Sequence, residues 1–389
     1  MKLLYIQWNS VGRKDLEEAF ILEGHDLIPF PVTRETVYGP ELEDRLSAIL
    51  RKEIPDAVFT VDFFPMFSYF CNKYGIQYIS WVYDSPHPQL YSTTVLNPCN
   101  RIYVFDQEMY REFHHAGIST VRYLPMAANV ERLDALGTDE SDFQSFSYDV
   151  SFVGSLYLEK GNLFDQMEAL LPDYTRGYLD ALITAQMKVQ GYNFIQETLM
   201  PVLDDLSNAH PMEQEPSIME SRSHYYAERI INKRITSVER IDLLDVISQR
   251  HVVDFFTQYE TSKAFSLPNL RVHGPVDYYT HMPLVFRRSR INLNITMRGI
   301  HSGIPLRAID IMAAGGFLLS NFQADFLEHF VPDEDFIYYE SREDLVRKVD
   351  YYLCHEEERM AIARNGHDKI AAGHTYRHRV REMLTSGGI

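Results

Sequence analysis

The chain has 389 residues, enough for roughly two or three domains that each bury a core. Its 37 Lys and Arg against 55 Asp and Glu leave a formal charge of −18, which excludes a bulk binder of nucleic-acid phosphates and disfavours attraction to anionic lipid. Three scattered cysteines, Cys71, Cys99 and Cys354, exclude a disulfide framework, and no apolar run reaches the ~18–20 residues of a membrane span.

The N-terminus, MKLLYIQW, runs straight into a strand-like segment without a leader, so a soluble, cytoplasmic protein is expected. LLYIQW (3–8), HDLIPF (25–30), AVFTV (57–61), YISWV (78–82), RIYVF (101–105) and TVRYL (120–124) carry the β-branched and aromatic residues of strands. Between the second and third, Leu42, Leu46, Ile49 and Leu50 recur at helical spacing. Strands separated by helices predict βαβ units, hence a parallel sheet with helices on both faces. Residues 125–147 are polar and poorly periodic, as a connection between domains would be.

YDVSFVG (148–154) opens a second unit, and residues 161–262, almost free of strand signal, read as a helical insertion in it. The α/β rhythm resumes with NLRVHG (269–274), INLNIT (291–296), GFLLSN (316–321) and DFIYYE (335–340). The predicted fold is α/β, with two Rossmann-like, doubly wound parallel-sheet lobes over residues 1–128 and 129–370. Residues 371–389 are expected to be helical and locally basic. In such sheets ligands bind beyond the C-terminal ends of the strands, which puts chemistry in a cleft between the lobes.

The strongest local anomaly lies between Tyr278 and Ile309. This window holds no Asp or Glu, where the chain average predicts about four or five, but it holds Arg287, Arg288, Arg290, Arg298 and Arg307. The first three read as the solvated face of a helix. Arg298 and Arg307 sit in a strand–loop–helix order, INLNIT, MRGIHSG, IPLRAIDIMAAGG, with Gly299 and Gly303 in the loop. Unpaired backbone N–H groups at such a helix start, with a guanidinium fork beside them, suit an anionic ligand. The loop lacks the GxGxxG fingerprint, which argues against a nicotinamide or flavin cofactor. Asp310, three residues after Arg307, fits an intrahelical ion pair or a carboxylate holding sugar hydroxyls equally well.

In the first lobe, Asp62, Asp84 and Asp106 each follow a strand. Helix capping accounts for Asp62 and Asp106. Asp84 precedes SPHPQ, where two prolines disfavour an immediate helix, and His87 is three residues on. This acid and imidazole in one loop are candidate catalytic groups, with a side-chain-stabilised turn as the bland alternative. No HExxH or DxD motif and no histidine pair at ligand spacing is present, so no metal site is expected.

Three C-terminal stretches, VHGPVDYYTHMPLVFRRSRINLNIT, SGIPLRAIDIMAAGGFLLSNFQADF and EERMAIARNGHDKI, resemble the CgeB-like (spore-maturation-protein-like) bacterial glycosyltransferases. YISWVYDSPHPQLY and YVFDQEMY resemble the N-terminal domain that accompanies them. The resemblance implies a GT-B architecture, with a nucleotide-diphosphate-sugar donor, UDP-linked, on the C-terminal lobe, an acceptor on the N-terminal lobe, and neither cofactor nor metal. It also implies that the last helix, within residues 371–389, returns toward the first lobe. It assigns Gly274 to the loop that meets the nucleobase, Asp310 to the ribose, and Gly154, Ser155 and Lys160 to the phosphates. Related enzymes that retain configuration carry a glutamate where this chain has Ser302, preceded by His301, so the sugar must be held differently.

The expected function is a metal-independent, hexosyltransferase-type glycosyltransferase acting on an unidentified protein, glycan or small-molecule acceptor. Arg298, Arg307 and the N–H groups near Gly303 would face the diphosphate, and Asp84 with His87 the acceptor. A non-catalytic nucleotide-sugar-binding scaffold and a nucleotide-sugar isomerase of the same fold are the competing readings.

Overall fold

The computed structural model describes residues 1–136, 147–158, 162–213, 217–258 and 267–385. The chain divides into two compact units, one of residues 1–128, 214–220 and 374–389, the other of residues 129–213 and 221–373.

In the first unit the strands are β1 (Lys2–Gln7), β2 (Asp26–Pro31), β3 (Ala57–Val61), β4 (Gln77–Val82), β5 (Asn100–Val104) and β6 (Val121–Tyr123). They form one parallel sheet in the order β2-β1-β3-β4-β5-β6. All five residues of β3 are buried, as a central strand covered on both faces requires. Leu42, Leu46 and Leu50 form the buried stripe of the helix Leu42–Glu53, with Ile49 packed at its margin. The helix Pro65–Tyr74 starts on a proline and stops at Gly75, whose φ of +67° is a conformation only glycine adopts without strain.

The C-terminal helix Tyr376–Thr385 completes this unit. Val380 and Met383 are fully buried, Tyr376 packs edge-on to Trp81, and the Tyr103 hydroxyl donates to the Met383 carbonyl at 3.0 Å. Arg377 and Arg381 donate to the Glu23 carboxylate at 2.5–2.8 Å. Those bonds, the Arg381 one foremost, hold Glu23 below the usual carboxylate value. A depressed acid stabilises the fold above its unfolded value and loses that contribution as pH falls through the folded one. Wild type should therefore melt about 2–4 °C above Glu23→Gln at pH 7, a modest margin for a pair half open to water, and the gap should close below about pH 4. Melting curves of both proteins between pH 3 and 7 check this.

In the second unit the strands are β7 (Tyr148–Val153), β8 (Val253–Phe256), β9 (Leu270–His273), β10 (Ser289–Asn294), β11 (Leu318–Asn321) and β12 (Ile337–Tyr339), parallel in the order β12-β11-β10-β7-β8-β9. Strand β8 corrects the sequence reading, which placed VDFF inside the insertion. It is only four residues long and carries the buried Asp254, whose Oδ1 accepts from His273 Nε2 at 2.7 Å and offsets part of the cost of burial. Within the expected connection, Val130–Ala135 forms a helix capped by the Asn129 side chain.

Between β7 and β8 the insertion builds a core of its own from Phe164, Met167, Leu179, Leu206, Tyr226 and Ile231. Its last helix, Asn232–Ser248, follows a π-helical stretch, Tyr225–Ile231. No described helix is long and apolar enough to cross a membrane.

Candidate functional site

The site in the second unit starts where β7 ends. Gly154 N–H donates to the Phe256 carbonyl at 2.9 Å, and a Cβ on Gly154 would lie 3.2 Å from the Arg307 guanidinium. The next turn is tight. Ser155 Oγ accepts from the Tyr157 N–H at 2.9 Å and helps to hold Tyr157 at φ +55°, a left-handed conformation that a bulky residue seldom adopts.

Two arginines meet at this turn. Arg240 is 1% exposed, donates to the Ile295 carbonyl at 2.6 and 3.1 Å and to the Ser155 carbonyl at 2.6 Å, and so ties the loops after β7 and β10 together. Arg307, half-buried in the first turn of the helix Leu306–Ala313, donates to Asn294 Oδ1 at 3.2 Å. The two guanidiniums lie 5.3 and 5.4 Å from the centroid of the Phe152 ring, and Arg240 is 5.1 Å from that of Tyr157. Among the described residues no carboxylate comes within 4.0 Å of Arg307. Burial, and then the like charge of Arg240, lower Arg307 to about 9, still far enough above neutrality to keep it charged.

Asp310, 5% exposed, accepts from the Tyr278 hydroxyl at 3.2 Å, and the described ion pairs include none between it and Arg307. Tyr278 belongs to the loop after Gly274, so the two positions expected at the nucleoside are linked through one hydroxyl. Gly274 itself is exposed, with no atom within 4 Å of where a Cβ would stand.

The other expected donor-side residues are committed within the unit. Arg298, 9% exposed, donates to both Glu239 oxygens at 2.8 and 2.5 Å and to the Val189 carbonyl at 2.9 Å. Its guanidinium therefore fastens the loop after β10 to the insertion. His301 Nε2 is 3.1 Å from Glu228 Oε1. Ser302 is buried, and its carbonyl accepts from the Asp325 N–H at 3.0 Å. The Gly303 carbonyl accepts from Gln323 at 3.3 Å. Lys160 lies outside the described residues.

Arg287 is more than a solvated side chain: it donates to the Leu133, Leu136 and Ala314 carbonyls and so pins the C-terminal end of the helix Leu306–Ala313. Sequence reasoning missed Tyr157, Arg240 and Asn294. For Arg240 a signal existed, since it falls on the stripe of Thr236, Leu243, Leu244 and Ile247 that the helix buries.

The first unit has its own cluster. Asp106 caps the helix Gln107–His115 by accepting from Glu108 and Met109 N–H groups at 2.9 and 3.2 Å. Asp62 caps nothing, contrary to its sequence reading. It adopts φ +63° after β3, and its Oδ1 accepts from the Tyr83 and Asp84 N–H groups at 2.9 and 3.3 Å. Asp62, Asp84 and His87 offer oxygen or nitrogen atoms within 4.8 Å of one another. That spacing would suit a cation, but the Asp62 oxygen and His87 Nε2, 2.9 Å from the Phe63 carbonyl, are engaged by backbone. Chain spacing hid the cluster because Asp62 arrives from another strand. Asp84 has an open face, yet the protein atoms around its carboxyl, and then the Asp62 charge, raise it to about 6.

Two parallel six-stranded sheets flanked by helices define the GT-B class of glycosyltransferase folds. The chain is similar across 99% of its length to a glycosyltransferase from Rickettsia africae (12% identity, 97% of that chain, TM-score 0.54). It is likewise similar to the sucrose-phosphate synthase of Thermosynechococcus elongatus (9%, 98% of that chain, 0.55) and to HepE of Anabaena in complex with UDP-glucose (9%, 99% of that chain, 0.54). Residues 240–385 match the model of a family described as glycosyl transferase-like. No curated protein matches the sequence.

Proposed function

We propose that this glycosyltransferase-like chain moves a sugar from a nucleotide-diphosphate donor to an acceptor without a metal or other cofactor, and that it is a CgeB-like member working in the reducing cytoplasm. The observation that carries the reading is Arg307, a charged guanidinium without a carboxylate partner among the described residues, set between a glycine turn and the start of a helix. There it and the helix amides would take the charge that develops on a departing diphosphate. Asp310 and the Tyr278 hydroxyl would hold the ribose. Arg298 is assigned to shaping the loop, and Arg240 to positioning it. The UDP-glucose in HepE makes UDP-sugars the first donors to try.

On the acceptor side, Asp84 beside His87 would remove the proton from the attacking hydroxyl. A carboxyl with a value of about 6 is a competent base only above that pH, so the rate should climb as pH passes about 6. Asp62→Asn removes the neighbouring like charge and should move that limb to lower pH, while Asp84→Asn should cut turnover roughly 100-fold or more. Nucleotide release from a panel of nucleotide sugars, with and without simple sugar acceptors and with a chelator, tests the whole. Donor binding with no release under any condition would favour a non-catalytic binder, the reading that Ser302 supports by standing where an acid is expected.

A further inference from the structure

The helical insertion carries a cavity of about 50 Å³ that opens to solvent, and the expected donor chemistry makes no use of it. Tyr157 and Phe164 form two of its walls, and Arg229, Lys233, Arg234 and Ser237 project from one continuous helical stretch. Three cations thus face one space. Lys233 Nζ rests 5.1 Å from the Tyr157 ring centroid, and among the described residues it has neither a hydrogen bond nor a carboxylate within 4.0 Å. Arg234 stacks 5.1 Å from the Phe164 centroid and meets Asp165 at 3.9 Å, a weak and exposed pairing. Arg229 lies 5.0 Å from the Tyr225 centroid.

Ser237 supplies a second, independent sign. It is 2% exposed, yet its Oγ has no hydrogen-bond partner among the described residues. Burying such a hydroxyl unmet is destabilising, so a lasting one needs a reason. A ligand that brings its own oxygens would satisfy it. An oxyanion would also attract Lys233, whose contact among the described residues is an aromatic face, and ring faces pack well against the C–H face of a sugar.

We propose that this cavity is a second anion site, which binds the phosphate or carboxylate of an anionic sugar substrate separately from the diphosphate at Arg307. That the ligand is a sugar rests on the glycosyltransferase reading; the anion site does not. Tyr157 is shared between the two places, touching Arg240 on one side and Lys233 on the other, so the two ligands would be neighbours.

Titration calorimetry with glucose 6-phosphate, glucuronate, glucose and UDP tests this on the full chain. Wild type should bind one of the two anionic sugars and not glucose at equal concentration, the productive anion naming the group. Lys233→Ala should weaken that binding about tenfold and Ser237→Ala severalfold, with melting temperatures that do not fall and with UDP affinity held within twofold. Loss of UDP affinity in Lys233→Ala to the same degree would overturn the proposal, since the cavity would then belong to the donor site. So would binding of neither anion, or binding indifferent to Lys233. If UDP fails to bind wild type while the anion still depends on Lys233, the donor reading falls and the cavity stands.

Discussion

Replacing Arg307 with alanine is expected to weaken UDP binding by roughly 10- to 100-fold, the range for losing a charge-assisted hydrogen bond worth about 1.5–3 kcal/mol. Thermal stability should hold or rise in the same variant. The guanidinium is half-buried, crowded by the like charge of Arg240, and without a carboxylate within 4.0 Å among the described residues, so its removal relieves a cost in the ligand-free protein. Arg307→Lys keeps the charge but loses the fork and should fall between. Calorimetry with UDP and melting curves with and without it check both halves, because a ligand raises the melting point by mass action only where it binds. Undiminished affinity in Arg307→Ala would remove the donor-site assignment.

The second large effect runs the other way. Arg298→Ala should cost roughly 3–5 kcal/mol of stability, because it leaves Glu239 buried and unpaired. At about 2–4 °C per kcal/mol for a unit of this size, the melting point should fall by roughly 6–20 °C. The double change Arg298→Met with Glu239→Leu should recover much of that loss, since it removes both charges and keeps the volume. If Arg298→Ala instead melted like wild type and lost UDP affinity, Arg298 would be a diphosphate ligand after all.

These two arginines show where sequence reasoning stops. They stand nine positions apart in one acid-free window, and nothing local distinguishes them. What separates them is Glu239, brought to Arg298 by a helix some sixty residues earlier in the chain, while among the described residues no such carboxylate reaches Arg307. Asp62 and Lys233 were opaque for the same reason, because their surroundings are assembled by strand order and by the insertion. Periodicity did better with the elements. Eleven of the twelve strands fall within a few residues of their expected places, since parallel strands buried on both faces are rich in β-branched and aromatic residues. The exception, β8, is too short for its two phenylalanines to outweigh the aspartate before them and the helical patterns upstream.

The last helix has a consequence for how the protein is made. The β1–β6 sheet leaves the ribosome before it, but Trp81 and Tyr103 need partners that lie 295 and 280 residues further along the chain. At roughly 5–20 residues per second of synthesis, the nascent sheet waits on the order of tens of seconds with that surface uncovered. During this interval it is a natural client for a holding chaperone, and a transcript truncated before Tyr376 would yield a chain whose first unit is never sealed.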